Sequence, residues 1–344
     1  MATLSAGLFG TIVFVSQLTP FLAYAYLGRF MQGFSMALLW SSILAILLAS
    51  HPTRPAAVYA LADTTFGLGF SLGPVFGSFL YAYYGFLLPF CICGAAIFST
   101  GMLSLPLISP LTKVAEGHFT SERPPIQPLI SSPFFLTALL STFTAAFCSF
   151  GFSLSLLELH LSSLRMTTSS VGFFFLAFSA SYTVATVLGG FITDSHIQPW
   201  KVCVAGLTSL LLSFSFLGPF SPIPLPYSAQ IPLKLVGLMI LGSGTGAVLV
   251  ASYSCALHAA RQLPNFQDDV KTYSLVSSLW TAAFAIGSFL GTSLAGVLFD
   301  HVGWQWSCIA VQALIFVTLL PSLGAAFHSN KDVEGISAKL DITT

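Results

Sequence analysis

Nine stretches of this chain run for 24 residues or more without one Asp, Glu, Lys or Arg: 1–28, 30–53, 64–112, 124–157, 166–193, 202–233, 235–260, 272–299 and 301–330. A helix that crosses the roughly 30 Å hydrocarbon core of a bilayer needs about 20 mostly apolar residues, so each stretch holds at least one potential span. The class is a polytopic membrane protein, and helices of that length are expected.

Composition agrees, because 55% of the residues are hydrophobic and 6% are charged, against about 25% charged in a soluble domain. Lys and Arg total 11, as do Asp and Glu. With a balanced charge and no basic stripe, nucleic acid is excluded as a partner and the lipid bilayer is the expected surrounding. The cysteines at 91, 93, 148, 203, 255 and 308 lie in apolar segments without paired CxxC spacing, so neither a disulfide nor a metal site is expected, and no cofactor. No HExxH pair, paired carboxylates or Gly-x-Ser-x-Gly elbow suggests an enzyme. The N-terminus carries no Lys or Arg before its apolar run, unlike a signal peptide, and reads as a first membrane helix.

Cutting the runs at Pro, Gly and polar clusters predicts ten helices near 3–18, 21–49, 56–80, 84–107, 134–159, 170–193, 200–218, 232–258, 272–299 and 303–326. Arg54, Lys113, Arg123, Lys201, Arg261, Lys271, Lys331 and Lys339 then collect on one side, against Arg165 and Lys234 on the other. The cationic side is cytosolic by the positive-inside rule, which places both termini there. Residues 108–133, with prolines at 110, 124, 125, 128 and 133, form the longest connection. The expected organisation is a bundle over 1–107, a cytosolic loop over 108–133, a six-helix bundle over 134–326 and a cytosolic tail over 327–344.

An internal repeat links the two bundles. At a constant offset of 218, Phe66, Gly69, Gly73, Leu80 and Gly85 align with Phe284, Gly287, Gly291, Leu298 and Gly303. The shared order is a glycine stripe, a helix end, a turn with Gly and a new helix. Duplicated helical halves around a midplane site are a transporter architecture.

The stretch Arg29-Phe30-Met31-Gln32-Gly33 resembles the RxxQG signature on the fourth helix of the major facilitator superfamily, and Gly69 through Gly73-Pro74 to Gly77 resembles the antiporter signature GxxxGPxxG on its fifth. Gly190-Phe191-Ile192-Thr193-Asp194 looks like the GxLaD loop after the eighth helix, and the segment holding Gly287 and Gly291 looks like the eleventh. Within the superfamily the chain is most similar to the vesicular amine transporters and their polyamine-carrying relatives, through Leu61-Ala62-Asp63 and Leu157-Glu158-Leu159. That resemblance implies an all-α integral membrane protein with ten helices of a twelve-helix fold, beginning at the family's third helix: an incomplete four-helix N-terminal half plus a six-helix C-terminal half. Where the monoamine carriers place acids on helices ten and eleven, this sequence has apolar or hydroxyl residues, around Ala251 and Thr281.

The resemblance implies proton-coupled antiport of a small organic cation, an amine or polyamine, across a vesicle, endolysosomal or plasma membrane. The competing expectation is a transport-incompetent family member acting through a protein partner that covers the N-terminal half. Charges within spans cost about 3 kcal/mol or more unless paired or facing water, which singles out Arg29, Asp63 and Glu158. Gln32 shares a helix face with Arg29. Tyr182 and Tyr253 carry phenols within spans and suit a cavity wall. Gly33, Gly69, Gly73, Pro74, Gly77, Gly287 and Gly291 are expected to serve packing, and Asp194 to cap the segment after it or latch a gate. His160, about 200° around the helix from Glu158, is expected at the interface. Arg29 and Asp63 fall at similar depths, about 14 and 12 Å in from opposite faces, which predicts a buried ion pair between them.

Overall fold

A computed structural model describes residues 1–51, 53–116, 125–163, 168–195, 197–218, 227–263, 266 and 270–341. Among the described residues eleven α-helices follow in order: α1 Ala2–Gly10, α2 Leu18–Ser50, α3 Pro55–Tyr84, α4 Leu87–Glu116, α5 Ile126–Ser131, α6 Pro133–Ala146, α7 Leu154–Ser163, α8 Thr168–Asp194, α9 Pro199–Leu217, α10 Tyr227–Arg261 and α11 Val270–Asp341. Among the described residues no strand occurs, and seven helical stretches are long and apolar enough to cross a membrane. The fold is all-α, as expected.

Local chemistry sets many of the ends. Pro55, Pro133 and Pro199 open α3, α6 and α9, where the missing N–H has no intrahelical partner in any case and the fixed φ suits a first turn. Gly85 ends α3 at φ 77°, and Gly303 breaks α11 at φ 76°. A side chain at either would be strained in this left-handed region. These two glycines, 218 residues apart in the aligned repeat, are the positive-φ glycines of the described chain, so the repeat is preserved in backbone conformation.

Several expected boundaries shift. The single helix over 3–18 is α1 followed by a 3-10 turn, Thr11–Phe14. Helix α4 runs to Glu116 and α5 covers Ile126–Ser131, so much of the 108–133 loop is helical; residues 117–124, Arg123 among them, lie outside the described residues, as does Arg165. The tail from 327 continues α11 to Asp341. Proline-rich sequence argued for a loop over 108–133 and polar sequence for the tail, but α4 and α11, once nucleated, extend at little cost per residue. Between α6 and α7 the chain widens into a π-helical segment, Phe147–Ser153.

Burial is concentrated in the C-terminal helices. The most apolar windows of Ile231–Arg261 and Pro133–Leu161 are 67% and 61% buried, against 22% for Leu18–Ser50 and 6% for Leu87–Pro106. Helix α10 packs on α8 and α9, and α6 on α10 and α11. The N-terminal helices lean on this mass along two seams, α3 on α8 and α2 on α11.

The glycines divide unexpectedly. Gly287 and Gly291 pack as anticipated: a Cβ on Gly291 would stand 2.8 Å from Cα of Gly151, and one on Gly287 would meet the Phe143 backbone at 3.1 Å. Gly69, Gly73 and Gly77 instead face open space, with nothing within 4 Å of an added Cβ. Their packing expectation is corrected: spacing by four makes a flat stripe, but only the tertiary arrangement decides whether a neighbour lies on it. The side chain of Pro74 lies outside the described residues.

Candidate functional site

Helices α3 and α8 run antiparallel and meet along residues 56–67 of α3 and 182–194 of α8. At one end both carboxylate oxygens of Asp194 accept backbone N–H groups from the start of α3, Ala56 at 3.1 Å and Ala57 at 2.7 Å. One turn along, Gly190 meets Ala60 and the Ala56 carbonyl so closely that its added Cβ would stand 3.1 Å from that oxygen. Further in, the Tyr182 hydroxyl donates to Oδ2 of Asp63, and Gly67 packs against the Tyr182 ring. The contacts fall on residues 182, 186, 190 and 194 of α8 and 56, 60, 63 and 67 of α3, one per turn on a single face of each helix.

Asp63 is the buried carboxyl group of this seam, 3% exposed. The hydroxyls of Tyr59 and Thr186 stand beside the same carboxylate, yet neither is seated in a well-formed hydrogen bond. Among the described residues no Lys, Arg or His pairs with it. The predicted Arg29 ion pair is not formed: the Arg29 guanidinium lies 4.3 Å over the Phe9 ring and donates to Gln32 at 3.4 Å. Depth counted from each helix end was matched, but Gly33, Met36 and Trp40, one to three turns beyond Arg29 on the same face of α2, line the Asp63 cavity. Arg29 lies further along the helix, beside Phe9 of α1.

A cavity of about 220 Å³ opens onto Asp63. Its wall comes from both ends of the chain: Gly33, Met36, Ala37 and Trp40 on α2, Tyr59 and Phe66 on α3, Tyr182 on α8, and Trp280, Thr281, Phe284 and Ala285 on α11. Behind it the rings interlock. Tyr59 stacks on Tyr253 at 4.8 Å and meets Trp280 edge-on at 5.2 Å, while Phe150 touches Phe66, Tyr182 and Phe284 at 6.0, 5.8 and 5.3 Å. The result is one carboxylate in an aromatic chamber, a combination that recognises cations through charge and ring faces together.

Of the residues singled out in the sequence, Asp63, Tyr182 and Gly33 line the cavity; Gly33 does so without a backbone neighbour. Tyr253 stands one layer behind, its hydroxyl 2.6 Å from Ser277 Oγ. Gln32 turns to α1, donating to the Ser5 carbonyl at 3.4 Å. Glu158 is exposed and outside the cavity, while His160 faces inward, stacked 4.1 Å from the Trp304 ring. Sequence reading missed Tyr59, Trp40, Phe66, Trp280 and Phe284. Aromatic residues are too common here, with 33 Phe alone, for any one to signal a wall.

Comparison with known proteins fits this arrangement. Residues 1–265 match the Major Facilitator Superfamily profile. The chain belongs to that superfamily. It is 29% identical over 313 residues to the MFS-type transporter SLC18B1 of Homo sapiens, a match covering 89% of this chain and 65% of that protein. It is 24% identical over 308 residues to the Synaptic vesicular amine transporter of Homo sapiens, covering 86% and 55%, and 24% identical over 301 residues to the human Chromaffin granule amine transporter, covering 85% and 53%. The chain thus spans just under two thirds of the length of SLC18B1. The cavity lies between the N-terminal helices α2 and α3 and the C-terminal helices α8 and α11.

Proposed function

We propose that this chain carries a small organic amine across a membrane in exchange for protons, with Asp63 as the seat of the cationic nitrogen. One observation carries the reading: a carboxylate buried in a membrane helix faces an aromatic cavity and has no cationic partner among the described residues. A bare carboxylate in hydrocarbon is costly, so it must be neutralised in each state. A cargo ammonium does this when the cavity is filled, and a proton when it is empty. Alternation between the two is antiport. The names of the related amine transporters support the cargo class. The single carboxylate and ring-lined wall favour an amine with one cationic centre seated on Asp63 and an apolar body against Trp280, Phe284 and Phe66.

Under this reading the Asp194 end of the α3–α8 seam faces the cytosol, as the Lys and Arg distribution requires, and Asp194 serves as the gate latch there. Both termini are then cytosolic, and the vesicular relatives favour a vesicle membrane. The test is phenethylamine titration of the full chain in lipid nanodiscs, read by fluorescence of Trp40 and Trp280, followed by uptake in liposomes with an imposed pH gradient. Saturable quenching lost in Asp63→Asn, with gradient-driven uptake, is the expected result. Equal quenching in wild type and Asp63→Asn would sink the assignment.

A second reading is favoured by the exposure of α2 and α4: an interaction protein whose N-terminal helices are covered by a membrane partner. Binding of the amine without uptake would select it.

A further inference from the structure

The α3–α8 seam carries the cavity carboxylate and the Asp194 cap on the same two helix faces, two to three turns apart. We propose that Tyr182 is the gating residue joining them: its hydroxyl holds the Asp63 carboxyl group of the empty site to α8, and an arriving ammonium, which takes the place of both the proton and the phenol, releases α3 from α8 as far as the Asp194 cap. This rests on the amine-site reading of Asp63.

The argument starts from competition. The Tyr182 hydroxyl and a cargo ammonium both seek the Asp63 carboxylate, and one oxygen is already taken by the phenol. A charged donor binds a carboxylate more strongly than a neutral one, so the ammonium wins when present. Displacement does not strip the carboxylate of donors, because the Tyr59 and Thr186 hydroxyls lie beside it without settled bonds. Transmission follows from packing. Between the carboxylate and the cap, Gly190 and Ala60 bring the backbones into contact, leaving no soft side chains to absorb a shift. Close-packed interfaces of this kind switch between arrangements rather than deform smoothly. A ligand shifts such an equilibrium only through its differential affinity, and the bond to Tyr182, made in the closed seam alone, supplies that difference.

The experiment uses the full chain in nanodiscs, with the exposed Cys91 and Cys93 replaced by Ala and a single reporter, Ala57→Cys, at the half-buried start of α3. The reporter's maleimide alkylation rate is measured with and without phenethylamine, and binding is read by tryptophan fluorescence. In the Tyr182-containing protein, the amine should speed alkylation several-fold. Tyr182→Phe keeps the ring and removes the hydroxyl. It should raise the amine-free rate to the amine-bound level and tighten phenethylamine binding about tenfold, the scale of one hydrogen bond to a charged group. An unchanged basal rate in Tyr182→Phe, or weaker amine binding, overturns the proposal. Loss of the amine site itself reads differently: if phenethylamine neither quenches nor depends on Asp63, the cargo reading fails, while the basal alkylation of Tyr182→Phe still decides whether the phenol fastens the seam. Monodisperse elution of each variant separates gating from misfolding.

Discussion

The side-chain nitrogen of Lys234 lies 2.8 Å from Nε2 of His160. His160 stacks on Trp304, whose indole N–H donates to the Leu217 carbonyl at 2.7 Å, and Lys234 reaches the same carbonyl at 3.4 Å. This cluster ties α7, α9, α10 and α11 together at the end of the bundle opposite Asp194. Because Lys234 is only 6% exposed, losing His160 leaves its nitrogen with the longer contact to the Leu217 carbonyl. His160→Ala should cost about 1.5–3 kcal/mol, seen as a lower unfolding midpoint in detergent. Lys234→Met combined with His160→Ala should recover part of the loss.

Asp194 bonds two N–H groups of a helix 138 residues away in sequence. Asp194→Asn keeps one acceptor oxygen and loses the charge that favours a helix N-terminus. The expected cost is roughly 1 kcal/mol, and hydrogen exchange at Ala56 and Ala57 should rise while exchange in α10 stays unchanged. Equal effects in both places would indicate a global rather than a local role.

The glycine assignments can be tested by paired alanines. Gly291→Ala drives a methyl against the Gly151 backbone and should destabilise by about 1–3 kcal/mol, because backbone cannot yield as a side-chain tip can. Gly73→Ala meets open space and should be neutral, or stabilising by up to about 1 kcal/mol through helix propensity. Thermal melts of the two single variants side by side check the contrast.

Phe150 joins rings from α3, α8 and α11 behind the cavity. Phe150→Ala should cost roughly 3 kcal/mol and enlarge the chamber, so phenethylamine binding should weaken while a bulkier arylalkylamine gains relative affinity. An unchanged preference between the two amines would detach Phe150 from the wall.

Much of this protein was legible in its sequence because the controlling quantities are one-dimensional. Charge-free length sets the spans, proline and positive-φ glycine set helix ends, and the offset of 218 residues finds in Gly85 and Gly303 the same turn built twice. Asp63 and Tyr182 could be singled out because a carboxylate and a phenol within apolar helices must each find a partner. Which partner was beyond reach. The rise of 1.5 Å per residue gives depth from a helix end, so Arg29 and Asp63 were matched in height, but which turns and faces of two helices meet depends on how each is shifted and rotated against its neighbours. That placement is fixed by many packing contacts at once. It set Arg29 over Phe9, one turn short of the cavity, joined Asp63 to Tyr182, left Gly69, Gly73 and Gly77 uncovered, and assembled an aromatic cavity from α2, α3, α8 and α11, whose residues run from 33 to 285 in sequence.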